Sequence, residues 1–376
     1  MPDNIYFIVF FPYLRMHNVP EIDLGFLKIW NFNLLKEQYI PDEKLRNKVE
    51  KILSTYQEHF TGVIKNMAVV SIGETDFRSF NEDEYKRIRL ARLLLFLSFI
   101  SKSNTTPFNG NTGHQMATSE NFNPVYQNFN LTDDAMSERD GYIVPMLSGG
   151  FELDTVKYIK PSSTVIPNKF DIDGKLLTFL LKIKDKKPRI FERIINATEV
   201  FFESYYNSFI VSQNARVLLQ MSAFEILLDL PEKKQRKRFK EIIEKETALP
   251  EDKKYVHYSE RPDSKKEREN LTIKGIWADL FYSLRNHIIH GLTPKNKEYV
   301  FKNRQMHTSI AFIFYIFFVK RQINKSFGRI VFEEEIYWKK WHDDNFDNDR
   351  EEFVCEVSFR RLWEKSLRKQ IINKAN

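Results

Sequence analysis

The chain has 376 residues, 42% hydrophobic and 29% charged, a balance that excludes a disordered, collagen-like or membrane-embedded polypeptide. Lys and Arg number 58 against 51 Asp and Glu, so the net charge of +7 permits a polyanionic partner without requiring one. The length corresponds to two or three domains.

Residues 5–11 are apolar and strand-like, and no basic region precedes them, so they do not read as a signal peptide. A second strand is predicted over 24–32, with a partial alternation through Leu24, Phe26, Lys28, Trp30 and Phe32. Pro41-Asp42-Glu43 opens a helix to about residue 60, with Leu45, Val49, Ile52, Leu53 and Tyr56 at helical spacing. Residues 67–72 form a short apolar strand. Asn81 and the acids Glu82, Asp83 and Glu84 then start a helix over 82–101. The stretch 103–140 is rich in Asn, Thr and Ser and reads as a long loop. Strand character returns over 142–146 and 151–159.

Beyond about residue 175 the pattern turns helical. Helices are expected over 176–183, from Pro188 to about 209, over 213–230, over 272–290 and over 298–326. The last is apolar nearly all round, as a buried helix would be. Its longest apolar run, 310–319, is too short to span a bilayer. Between the third and fourth of these lies the charged segment 232–270, with 13 Lys/Arg and 10 Asp/Glu. The tail from 331 is acidic at first, then strand-like over 353–359, then a basic helix. The fold class expected is α+β: a mixed α/β domain over 1–175, an all-α bundle over 176–330 and a C-terminal extension over 331–376.

Glycine is scarce, at 12 residues, which disfavours phosphate-cradling loops. No phosphate-loop, dinucleotide-binding or Gly-x-Ser-x-Gly pattern occurs. Cys355 is the only cysteine, so no intramolecular disulfide or multi-cysteine zinc site is possible. These features fit a cytoplasmic protein without a cofactor.

The chemistry concentrates in Phe281-Tyr282-Ser283-Leu284-Arg285-Asn286-His287-Ile288-Ile289-His290-Gly291. Asn286 and His290 lie about 40° apart on an ideal helix, so the Asn amide can set the imidazole tautomer. Arg285 and His290 lie about 140° apart, so they share a site only if the helix ends near His290 or Arg uses its length. Gly291 suits such an ending. Cations also favour a helix C-terminus on electrostatic grounds alone, so the spacing by itself decides little. His287 and His290 could share a metal, but no third ligand is identifiable. The basic residues Lys233, Lys234, Arg236, Lys237 and Arg238 could contact phosphates or form a solvated helix face. Tyr205 and Tyr206 could stack on bases or pack in the core.

The string from Leu284 to Gly291, on the third helix of a helical unit, resembles the Arg-(polar)-x3-His signature of HEPN domains. Phe281-Tyr282 before it, Gly291 after it and the upstream Ala223-Phe224-Glu225-Ile226-Leu227-Leu228 resemble the Apea-like branch. The resemblance covers roughly 190–326. It implies a dimerising helical bundle and a metal-independent endoribonuclease of the prokaryotic anti-phage, toxin or abortive-infection type. Arg285 and His290 would be its catalytic pair, Asn286 its polar position, and His287 would line the cleft. It further implies an RNA substrate, with the tRNA anticodon loop favoured, and a phage-derived or antitoxin-like regulator. The competing expectation is a non-catalytic module that binds a partner protein or nucleotide. The charged segment 232–270 departs from compact members of the family by lengthening the second-to-third helix connection.

Overall fold

The computed structural model describes residues 5–16, 19–58, 62–75, 82–103, 119–131, 135–139, 142–145, 151–152, 158–159, 172–206, 211–260, 266–301, 305–342 and 351–358. The fold is mixed α+β. The described residues form two compact units, one reaching to Leu177 and the other running from Thr178 onward.

The first unit is built on strand β1 (Ile5–Arg15). Ile8, Val9, Phe10 and Phe11 are all fully buried, so both faces of this strand are covered. That is why its sequence is a continuous apolar run with no alternation. The other strands of the unit are β2 (Glu21–Asp23), β3 (Lys28–Asn31), β4 (Tyr56–Glu58), β5 (Gly62–Val63), β6 (Met67–Thr75), β7 (Val125–Phe129), β8 (Ala135–Arg139), β9 (Tyr142–Pro145), β10 (Phe151–Glu152) and β11 (Tyr158–Ile159). The main sheet has the order β10-β8-β9-β7-β1-β6-β3-β2, antiparallel except between β7 and β9. A second small sheet holds β11, β4 and β5. Helices α1 (Phe32–Tyr39) and α2 (Glu43–Ser54) pack Phe32, Val49, Ile52 and Leu53 against Ile8, Phe10 and Trp30. Helix α3 (Glu82–Ser103) carries the buried run from Leu93 to Leu97.

Three sequence expectations change here. Residues 24–32 are not one strand: Gly25 takes a positive φ of +76°, the chain turns, and Asn31 caps α1 by accepting from the Leu34 amide. The helix expected to reach residue 60 stops at Ser54, because Tyr56 is drawn into β4. The stretch 103–140 contains β7 and β8. Their polar residues, Gln127 and Asn128 in β7 and Ser137, Glu138 and Arg139 in β8, hide strands that are stabilised by backbone pairing with β1 and β9.

The second unit contains most of α4 (Gly174–Lys186), then α5 (Pro188–Glu203), α6 (Gln213–Leu228), α7 (Gln235–Thr247), α8 (Ile273–Ile289) and α9 (His307–Phe327). Pro188 opens α5, where its missing N–H costs nothing. Helices α5, α6, α8 and α9 pack on one another, and α7 lies on α8. Aromatic rings fill the interior. Trp277 stacks on Phe281 and Phe314 at 5.3 and 4.5 Å, and Phe201 stacks on Tyr315 at 3.9 Å. Tyr205 packs on Phe201 and Phe312, and Tyr206 on Phe202, so both belong to the aromatic packing of the unit.

The unit is not all-helical. The charged segment 232–270 folds as α7 followed by an antiparallel ribbon of β12 (Lys254–Glu260) and β13 (Lys266–Thr272). Tyr255, Val256 and Tyr258 supply the strand propensity that the surrounding charges obscure. A short hairpin of β14 (Val300–Phe301) and β15 (Gln305–Met306) precedes α9, which therefore starts at His307 and not near 298. Beyond α9, β16 (Glu335–His342) pairs with β17 (Glu351–Ser358). The basic helix expected after 359 lies outside the described residues. No helix among the described residues is long and apolar enough to cross a membrane.

At the start of α9, His307 is buried between Phe281 and Phe301. Burial depresses its imidazole to about pKa 3. The unfolded chain therefore binds this proton more readily than the fold does. Stability from this group is complete above pH 6.5 and is lost as pH falls toward 3. Acidification from pH 7 to 5 should cost about 2 kcal/mol, read as a falling urea midpoint. In His307→Leu that part of the pH slope should vanish.

Candidate active site

The site is built on α8, and its N-terminus is fixed from two directions. Thr272 caps the helix by accepting from the Gly275 amide, and the Glu244 carboxylate of α7 accepts from both the amide and the hydroxyl of Thr272. Glu244 passes so close to Gly275 that a Cβ there would overlap its carboxylate. Gly275→Ala should therefore displace the Glu244 cap. A net loss of about 1–2 kcal/mol is expected in chemical denaturation, helix propensity offsetting part of the damage. Lys274 is fully buried and donates to the Thr247 carbonyl and to Asp252, both at 2.7 Å, tying α8 to the end of α7.

One turn further, the buried Asp279 organises a charged cluster. Arg236 grips it with two hydrogen bonds of 2.8 and 2.7 Å, and His257 of β12 meets it at 3.0 Å. Lys240 lies 3.8 Å away and also bonds Glu269. Burial would raise the Asp279 carboxyl. The hydrogen bonds from His257 and Arg236 and the charges of Arg236 and Lys240 outweigh it and hold the carboxyl well below the usual range.

Next along the helix is Tyr282, whose hydroxyl shares its proton between Glu225 of α6, at 3.1 Å, and Gln235 of α7, at 2.8 Å. Burial, then the neighbouring Glu225 charge, raises the Tyr282 hydroxyl far above its ordinary value, so it stays protonated and donates. Arg285 lies over the Tyr282 ring, 5.3 Å from its centre. One guanidinium nitrogen pairs with Glu225 at 3.2 Å and the other donates to the Asn286 amide oxygen at 3.1 Å. Arg285 is thus held by an acid, an amide and a ring while about a fifth of its side chain meets solvent.

The helix ends where the motif ends. The amides of His290, Gly291 and Leu292 bond the carbonyls of Asn286, Ile288 and His287. Gly291 adopts φ +73°, the left-handed geometry this termination requires. His290 sits at the exposed tip, and among the described residues no hydrogen bond reaches its imidazole. The expected Asn286–His290 bond is therefore not formed, because the Asn286 oxygen accepts from Arg285 instead. No hydrogen bond joins Arg285 to His290 either. His287 points to Glu298 at 3.6 Å. Ile289 and Leu292, beside His290, are 51% and 58% exposed. Among the described residues no three His, Cys, Asp or Glu side chains gather as metal ligands.

The basic run divides. Arg236 is engaged by Asp279 inside the cluster, while Lys233, Lys234, Lys237 and Arg238 are exposed. Arg238 and Lys237 approach Glu241 at 3.5 and 4.0 Å. Sequence reasoning gave no chemical role to Glu225, Gln235, Tyr282 or Asp279, although Glu225 and Tyr282 stand in the strings that carry the resemblance. Glu225 had a readable signal as the sole acid on α6, in an otherwise apolar string. No family model, curated protein or solved structure matches the chain.

Proposed function

We propose that this chain is a metal-independent endoribonuclease of the HEPN type, acting on cellular RNA, with the tRNA anticodon loop the favoured substrate. The observation that carries the reading is the ending of α8 at His290, one turn beyond a guanidinium held over Tyr282. The His290 amide still bonds the Asn286 carbonyl, so His290 keeps helical spacing from Arg285, and a shared site draws on the length of the Arg285 side chain.

In the reaction the ribose 2′-oxygen attacks phosphorus, its proton passes to a base, a 2′,3′-cyclic phosphate forms and the 5′-oxygen departs with a proton from an acid. His290 is the proton-transferring group, and Arg285 stabilises the charge growing on phosphorus. A second copy of the chain would supply the second proton-transfer group across a twofold axis. Lys233 and Lys234 support RNA contact beside the site, since Gln235, next in the chain, bonds Tyr282. Such an activity is toxic to its host. The first unit, together with a phage-derived or antitoxin-like regulator, is the natural place for restraint in a cytoplasmic defence system.

One observation favours a second reading, a non-catalytic module that binds a partner or nucleotide: Arg285 is already paired with Glu225. The test is cleavage of a labelled anticodon stem-loop RNA by the purified chain in EDTA. The nuclease reading expects 2′,3′-cyclic phosphate ends from wild type and uncut RNA from folded Arg285→Ala and His290→Ala. RNA left whole by wild type, or cut equally by both variants, overturns it.

A further inference from the structure

We propose that Glu225 is a positioning residue for Arg285, a role that rests on the ribonuclease reading above. The inference comes from a three-part support under one guanidinium. Glu225 reaches across from α6 and pairs with Arg285 at 3.2 Å. Tyr282 anchors the same carboxylate oxygen at 3.1 Å and lends its ring to the cation. Asn286 takes the second terminal nitrogen at 3.1 Å. Gln235 fixes the Tyr282 hydroxyl from α7 at 2.8 Å. Three side chains from α6 and α8 thus meet one guanidinium that stays partly open to solvent, and Gln235 of α7 braces one of them.

An Arg side chain has several rotatable bonds, and a phosphate in transit to its transition state gains most from donors already aimed at it. Glu225 supplies that aim. It also places a negative charge beside the guanidinium, which weakens attraction for RNA in the ground state. Its removal therefore has opposite effects on binding and on turnover. RNA binds equally well or more tightly, because an opposing charge is gone. Turnover falls, because the guanidinium is no longer held. A residue that only stabilised the bundle would not divide kcat from KM in this way.

The experiment measures single-site cleavage kinetics of the anticodon stem-loop RNA by the full chain. Wild type is compared with Arg285→Ala, Glu225→Ala, Glu225→Gln and Tyr282→Phe. Glu225→Ala should lose about 10- to 100-fold in kcat with KM unchanged or lowered about threefold. Glu225→Gln keeps an oxygen acceptor for Tyr282 and Arg285 without the charge and should recover to within about tenfold of wild type. Tyr282→Phe keeps the ring and loses the anchor, so it should fall between the two. If Glu225→Ala does not fold, Glu225→Gln and Tyr282→Phe carry the test. Glu225 variants with wild-type kcat, beside an inactive Arg285→Ala, overturn the positioning role and leave the nuclease standing. A rise in KM with kcat unchanged overturns it equally. Wild type that cuts no RNA removes the nuclease reading and this role with it.

Discussion

His290→Ala should lower RNA cleavage by about 10²- to 10⁴-fold at neutral pH while leaving the thermal midpoint within a degree or two of wild type. The rate effect is that of removing one positioned proton-transfer group. The small stability effect follows from the surroundings of His290, which is exposed, caps a helix through its backbone and has no side-chain hydrogen bond among the described residues. Its backbone capping bonds survive substitution. Arg285→Ala should be comparably inactive but less neutral for the fold, since it abandons Glu225 and uncovers the Tyr282 ring. Paired measurements of kcat and chemical denaturation separate the two variants. A His290→Ala protein that cleaves at the wild-type rate would remove the residue from the mechanism.

Asp279→Ala should destabilise the second unit by about 3–5 kcal/mol, the usual consequence of deleting one partner from a buried ionic cluster. Asp279 is almost completely buried and faces Arg236, Lys240 and His257 together. Without it, three cationic or protonatable groups in partly buried positions lose a shared carboxylate, and Lys240 keeps Glu269. The damage should be spatially specific. Arg236 and Lys240 lie on α7, His257 on β12 and Asp279 on α8, so one carboxylate joins three elements. Hydrogen exchange should therefore rise first in the β12–β13 ribbon and α7. The aromatic interior of α5, α6 and α9 should hold longer. Asp279→Asn, which keeps the shape and part of the hydrogen bonding, should cost less than Asp279→Ala. Unchanged urea midpoints for both would show that the cluster contributes nothing net to the fold.

These two residues illustrate what could and could not be read in advance. His290 and Arg285 were visible because their spacing, the following glycine and the apolar face beside them lie within a dozen consecutive residues. The C-terminal turn at Gly291 was legible for the same reason: it is a local backbone property. Asp279 lies in the same helix and carried no sequence signal, because its partners are 22 to 43 positions away. The run Lys233–Arg238 read as one basic patch. Packing separates it, holding the partly buried Arg236 against Asp279 and leaving Lys233, Lys234, Lys237 and Arg238 in solvent.

Local pattern alone determined the strong helices, the central apolar strand and the ending of α8, because each depends on periodicity or capping among near neighbours. The sheet order and the pairing of β7 with β1 depend on which distant strand offers its backbone. The ribbon inside the charged segment is a local hairpin whose strand signal the surrounding charges obscure. The pairing of Asn286 was decided at the same level. Helical spacing offers its amide to His290. The tertiary structure brings Glu225 and Tyr282 to Arg285, and the guanidinium so placed takes the Asn286 oxygen. Side-chain hydrogen bonds go where acceptors and cations converge in space, and that convergence is written in no single segment of the chain.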